Sequence, residues 1–384
     1  MSGVSVSAAP RSEAIAETRT VRRRMWLRIL CLALAAIALL SGLCGGMWRL
    51  GWTIPHGSSL AELHGPLLIS GLFGTLIGLE RAVALGRDWS YAAPALSGLG
   101  TLTLLAGAPT AVGAGLFILA SATLAAASLV ITAKQPAVFT GALLFGALTW
   151  FSGNVLWLIG NSVPDVVGWW LAFLILTVAG ERLELSRLVA PKRGSEAMFL
   201  FAVGLLILGA QNGLMTPNGA VLYGLALVFT TTWLLRHDIA SHNLRQQGQT
   251  RFSAACMMSG YVWLGLSGVA LVAAPPGAAL HTYDFALHAV LIGFALSMVF
   301  GHALIILPAV TGIRIAYRPF MYAPLALLHA SLVIRGIGDA LAWQAFRQWS
   351  GIVTILAIVS FALTVGLASK RRNTEADRVQ HRFP

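Results

Sequence analysis

Six of the nine histidines in this 384-residue chain fall in or beside three apolar stretches, and their spacing is what could do chemistry. Neutral imidazole is the commonest protein ligand of iron, copper and zinc. His64 opens the stretch 64–84, and His288 lies near the start of the stretch 284–308. His56 precedes His64 by eight residues and His281 precedes His288 by seven, so each stretch has a second histidine just ahead of it. His302 follows His288 by fourteen residues. On one regular helix that is about 21 Å deeper and only ~40° away in azimuth, on the same face. His329 lies in the next stretch, 321–341, and an antiparallel return would bring it to the depth of His302. Two pairs are therefore expected. The outer pair is His64 with His288, where His56 and His281 would be further metal donors. The inner pair is His302 with His329. Two trans imidazoles from facing helices make a six-coordinate haem. No Cys-x-x-Cys-His is present, so such a haem would be held without a covalent link. A single intramembrane histidine has a plainer role as an interhelical hydrogen-bond partner, and that reading stands beside the metal one for each.

The elements that must position these residues follow from composition. The chain is 57% hydrophobic and 10% charged, against roughly 45–50% and 25% for a soluble domain. Disorder is excluded by the hydrophobicity, and a disulfide scaffold by only three cysteines, Cys31, Cys44 and Cys256. An all-α integral membrane protein remains. A crossing helix needs about 20 apolar residues. About twelve such spans are expected, near 27–46, 64–84, 91–108, 111–132, 138–160, 166–186, 198–214, 218–235, 253–274, 284–308, 321–341 and 348–369. Residues 1–26 read as a disordered basic cytoplasmic tail, 27–369 as the membrane domain and 370–384 as a second cytoplasmic tail. With the N-terminus inside, only Arg49, Arg335 and Arg347 of the 26 basic residues fall outside. The positive-inside rule thus predicts twelve spans with both ends cytoplasmic. It also accounts for the net charge of +12, so no nucleic acid is expected as partner; membrane lipid is.

Spans 2, 6 and 10 resemble one another. Span 2 begins His64-Gly-Pro and ends Gly78-Leu-Glu80-Arg81, span 6 ends Gly180-Glu181-Arg182, and span 10 carries His288 near its start. Three pseudo-repeats of four helices would explain this. Glu80-Arg81 and Glu181-Arg182 are expected at the cytoplasmic lip as structural clamps, with Glu184 able to join a proton path. Arg335 and Asp339 stand at i and i+4 near the outer end of span 11. They would form a local ion pair, or an anion clamp over the outer pair in which Arg335 grips carboxylates.

The stretch Leu287-His288-Ala-Val-Leu-Ile-Gly-Phe-Ala, with Thr311-Gly312, Arg318-Pro319 and the Leu63-His64-Gly-Pro-Leu-Leu segment, resembles the NnrS family. These are twelve-span bacterial proteins related to subunit I of haem–copper oxidases, tied to nitric oxide metabolism. The resemblance implies haem b and copper as cofactors, His64 and His288 as haem ligands, and Arg335 as a propionate clamp. It also implies the bacterial inner membrane. Spans 6 and 7 lack the paired histidines of an oxidase copper site, so a binuclear reducing centre is not expected.

Three function classes follow. The first is a haem- or copper-binding protein of redox, nitric oxide or metal handling, with a redox partner protein. The second is a two-haem electron carrier that also uses His302 and His329. The third is a cofactor-free transporter or channel. No Walker loop, zincin motif or nucleotide fingerprint is present.

Overall fold

A computed structural model of the chain describes the backbone of residues 9–186, 194–276 and 281–380. Lys192, Arg193 and His381 lie outside the described residues. In hydrocarbon, backbone N–H and C=O groups must be satisfied within the segment, which leaves a helix as the solution for each apolar run. The helices are α1 (Ala9–Arg49), α2 (Gly57–Leu85), α3 (Ala92–Leu105), α4 (Thr110–Lys134), α5 (Val138–Leu158) and α6 (Val163–Ser186). They continue with α7 (Ser195–Asn212), α8 (Pro217–His237), α9 (Gly248–Ala273), α10 (Thr282–Thr311), α11 (Pro319–Ala340) and α12 (Gln344–Gln380).

Among the described residues, eleven of these are long and apolar enough to cross a membrane. The chain is a multi-pass, all-helical membrane protein. The exception is α3. Its 14 residues span about 21 Å, short of a hydrocarbon core of roughly 30 Å. The apolar run from 91 to 108 does not continue as helix because Gly107 takes a left-handed turn, with φ of 76°. Elsewhere the ends carry ordinary signals. Thr216 accepts the Gly219 N–H at the start of α8, with Pro217 in the first turn. Gly86 and Gly312 close α2 and α10 in the left-handed conformation. Helix α1 begins at Ala9, well ahead of its apolar stretch.

Consecutive helices pack as neighbours, most extensively α5 with α6, α7 with α8, α11 with α12, α4 with α5 and α8 with α9. Helix α6 is the most deeply buried span. It touches the middle of both α2 and α10, and the C-terminal halves of α2 and α10 touch each other. The three helices with similar sequences therefore meet at the centre. Large apolar residues such as Leu119, Leu200, Val262 and Leu363 are exposed, as lipid-facing positions are.

A buried polar network ties α2 to α4, α5 and α6. The Asn154 carbonyl accepts from Ser70 Oγ at 3.1 Å and from Trp170 Nε1 at 3.0 Å, and its amide donates to the Phe117 carbonyl at 3.2 Å. Trp150 Nε1 donates to Ser70 Oγ at 2.9 Å. Asn154→Ala would strand the Trp170 N–H without a partner, at about 1–3 kcal/mol. The expected outcome is a lower thermal midpoint in detergent, read by near-UV circular dichroism, with unchanged helix content.

Candidate functional site

Helices α2 and α10 carry the two outer histidines, and both depart from α-geometry at the same place. A π-helical segment runs over Leu67–Phe73, three residues after His64, and another over Ala289–Leu296, directly after His288. In α2 the wider turn follows Pro66, which has no N–H to donate. Such turns are uncommon and concentrate at functional sites.

The two imidazole rings are neighbours, with nearly parallel planes. Their centres lie 6.3 Å apart and their planes differ by 26°. His64 Nδ1 lies 2.7 Å from the Gly42 carbonyl of α1. His288 Nδ1 lies 2.7 Å from the Asp284 carbonyl one turn earlier in α10. A carbonyl only accepts, so each Nδ1 is the protonated nitrogen and each Nε2 carries the lone pair. Neither Nε2 has a hydrogen-bond partner among the described residues. The close approach of α1 depends on small residues. A Cβ at Gly46 would stand 2.7 Å from His64 Cε1 and 3.0 Å from its Nδ1, and one at Gly42 would stand 2.7 Å from the Leu68 side chain.

The rings line a cleft between α1, α2, α10, α11 and α12, with about 1000 Å³ of empty space counted to its open mouth. Its lower walls are leucines and Phe73, and its upper wall is charged. Arg335, only 4% exposed, donates to the Asp284 carboxylate at 2.6 Å. Arg347 donates to Asp339 at 2.8 Å and stands 3.9 Å from Asp284. Arg49 also lines the cleft. The i, i+4 pair expected between Arg335 and Asp339 is thus replaced by two pairs between helices. All three basic residues that the charge count puts outside stand around this one cleft. The count itself was the signal for Arg49 and Arg347, but it did not show that they converge.

The other sequence candidates go elsewhere. His56 is exposed in the turn before α2, and His281 is half-buried at the start of α10. Neither lines the cleft. Burial first, and the Arg347 cation second, hold the His281 imidazole below its usual pKa. His302 and His329 do not pair. His302 donates from Nδ1 to the Met298 carbonyl at 2.7 Å, and its Nε2 accepts from buried Arg182 at 3.1 Å. His329 Nδ1 accepts from Trp263 Nε1 at 2.9 Å, and its Nε2 faces Ser297 Oγ at 3.4 Å. Arg81 reaches from α2 to Glu181 of α6 at 3.9 Å, while Glu184 is exposed. Among the described residues no three His, Cys, Asp or Glu side chains converge to hold a metal ion by themselves.

Residues 28–370 match the model of a family described as a domain of unknown function, DUF8744. No curated protein matches the chain.

The seat of the His64 ring makes a stability prediction. Gly46→Val should cost about 1–3 kcal/mol through overpacking. Gly204→Ala, where a Cβ meets nothing within 4 Å, should stay within roughly 0.5 kcal/mol. Thermal unfolding of the two variants in one detergent checks this difference.

Proposed function

The chain belongs to the DUF8744 family, and we propose that this member is a membrane haem protein in which His64 and His288 hold one b-type haem from opposite sides. The observation that carries this is the ring separation. Two imidazoles bonded to opposite sides of one metal have centres about 6 Å apart, from metal–nitrogen bonds of roughly 2 Å and about 1.1 Å from nitrogen to ring centre. The observed 6.3 Å fits. So does the tautomer, because a ligating histidine usually donates its other N–H to a carbonyl or carboxylate. Two protein donors suffice for haem, whose porphyrin supplies the other four. Copper held by His64 and His288 would find no third His, Cys, Asp or Glu among the described residues, so haem is the better reading.

When bound, haem supplies reversible one-electron exchange. The chain's own contributions are separate from that. Gly42 and the Asp284 backbone fix both rings in the ligating tautomer. Arg335, Arg347 and Arg49 give the cleft the charge to hold carboxylates, as a haem's propionates require. The apolar lower wall excludes water from the rings. His302 and His329 have both ring nitrogens engaged, which favours one haem over two. The role that follows is electron transfer with a redox partner protein at the outer surface. Nitric oxide handling, as in NnrS proteins, would need one imidazole to leave.

The wider reading goes with this one. Helix α3, extended by the turn Asp88–Tyr91, would be the twelfth crossing. The central triad of α2, α6 and α10 would mark three pseudo-repeats of four. Both termini would then be cytoplasmic, in a bacterial inner membrane.

Protein purified after haem-supplemented expression should contain about one haem per chain by the pyridine haemochrome assay. It should show a sharp reduced band on dithionite addition. His64→Ala and His288→Ala should each lose most of it, and His302→Ala should keep it. A folded wild-type protein without haem, or a double alanine variant with full haem content, would overturn the proposal.

A further inference from the structure

A second cavity lies toward the inner side, between α1, α2, α6, α10 and α12, with about 1390 Å³ of empty space counted to its mouth. Only Phe73 lines both this cavity and the histidine cleft. Its walls are almost entirely apolar. Two of its lining residues, Ala362 and Gly366 of α12, are exposed. Both stand within the crossing span Gln344–Ser369, in its last third. The mouth therefore opens sideways toward lipid, and a ligand would enter from the membrane.

Polar groups on the opposite wall define what that ligand must be. His302 is on the lining, but its two ring nitrogens are taken by Met298 and Arg182. Glu181 has Arg81 at 3.9 Å, too long for a hydrogen bond. Glu80 has Arg81, Arg182 and Glu181 as charged neighbours. It makes no hydrogen bond or ion pair among the described residues. Two carboxyl groups thus face an apolar chamber with their hydrogen-bonding capacity unused. Each stands five residues from the end of its helix, half-buried, and an ionisable group that faces an apolar cavity there marks a functional-site candidate. A carboxylate accepts from a hydroxyl, and a protonated carboxyl donates to a carbonyl. An anionic lipid headgroup would meet the two carboxyls, since neither Arg81 nor Arg182 lines the chamber. A neutral, lipid-soluble ring with oxygen at its head satisfies them in both of its oxidation states.

We propose that this cavity is a binding site for a membrane quinone or its hydroquinone, with the ring in the apolar chamber and its oxygens at Glu80 and Glu181. The proposal does not depend on haem in the outer cleft.

The test uses the full chain in nanodiscs of quinone-free phosphatidylcholine, titrated with ubiquinone-1 and read by equilibrium dialysis. Wild type should bind saturably at about one per chain. Glu80→Leu should weaken binding at least tenfold. Gly366→Phe, which adds bulk at the mouth where a Cβ meets nothing within 4 Å, should do the same without disturbing the fold. The His64→Ala and His288→Ala double variant should bind as wild type does, whatever its haem content, which separates this site from the outer one. Non-saturable uptake by folded wild type, or equal binding by both cavity variants, would overturn the proposal. So would displacement of the probe by dodecylamine at concentrations well below those of competing quinone.

Discussion

Two hydrogen bonds organise this molecule: His64 Nδ1–H to the carbonyl of Gly42, and His288 Nδ1–H to the carbonyl of Asp284. An imidazole inside a membrane must place its N–H on an acceptor or carry an unsatisfied polar group at a cost of several kcal/mol. Here both rings meet that demand with the same nitrogen, leave the other without a hydrogen-bond partner among the described residues, and line a common cleft. The rest of the outer half conforms. Helix α1 must come close enough for its carbonyl to be reached, and Gly42 and Gly46 leave room for it. Helices α2 and α10 both widen into π-turns beside their histidines.

Charge follows from the same cleft. Arg49, Arg335 and Arg347 surround it with Asp284 and Asp339. Three cations against two carboxylates leave one positive charge in excess. A buried arginine is expensive unless paired. Arg335 meets that condition through Asp284, the residue whose backbone also holds His288. The seat of the His288 ring and the pairing of Arg335 are thus linked through one residue. The inner half has the opposite design. Arg182 there occupies the His302 ring nitrogen, and the carboxylates face an apolar chamber.

Much of this was legible in the sequence. Each apolar stretch became helix, because hydrocarbon leaves the backbone no other choice, although α1 starts 18 residues ahead of its expected span and α12 runs 11 residues past its own. His64, His288 and Arg335 were visible as polar residues at matched depth, and they do share a cleft. The expected pairing of His302 with His329 failed for a physical reason. It rested on depth alone, and depth does not fix which neighbour a ring meets: His302 meets Arg182 of α6. Trp263 on α9 then takes the nitrogen of His329 that the depth argument left free. The shortness of α3 was hidden too, since hydropathy does not register the left-handed turn at Gly107. Nor could periodicity show that a guanidinium on α11 finds its carboxylate on α10 rather than one turn away on its own helix.

If His64 and His288 hold one haem, as we propose, electron paramagnetic resonance of the oxidised protein will show both ligands at once. Two imidazoles on one ferric haem impose a strong axial field. The account predicts a low-spin ferric signal of the bis-histidine type in the wild-type protein, replaced by a high-spin signal in any His288→Ala protein that retains haem. A wild-type spectrum dominated by high-spin ferric haem, or one unchanged by the His288 substitution, would contradict it.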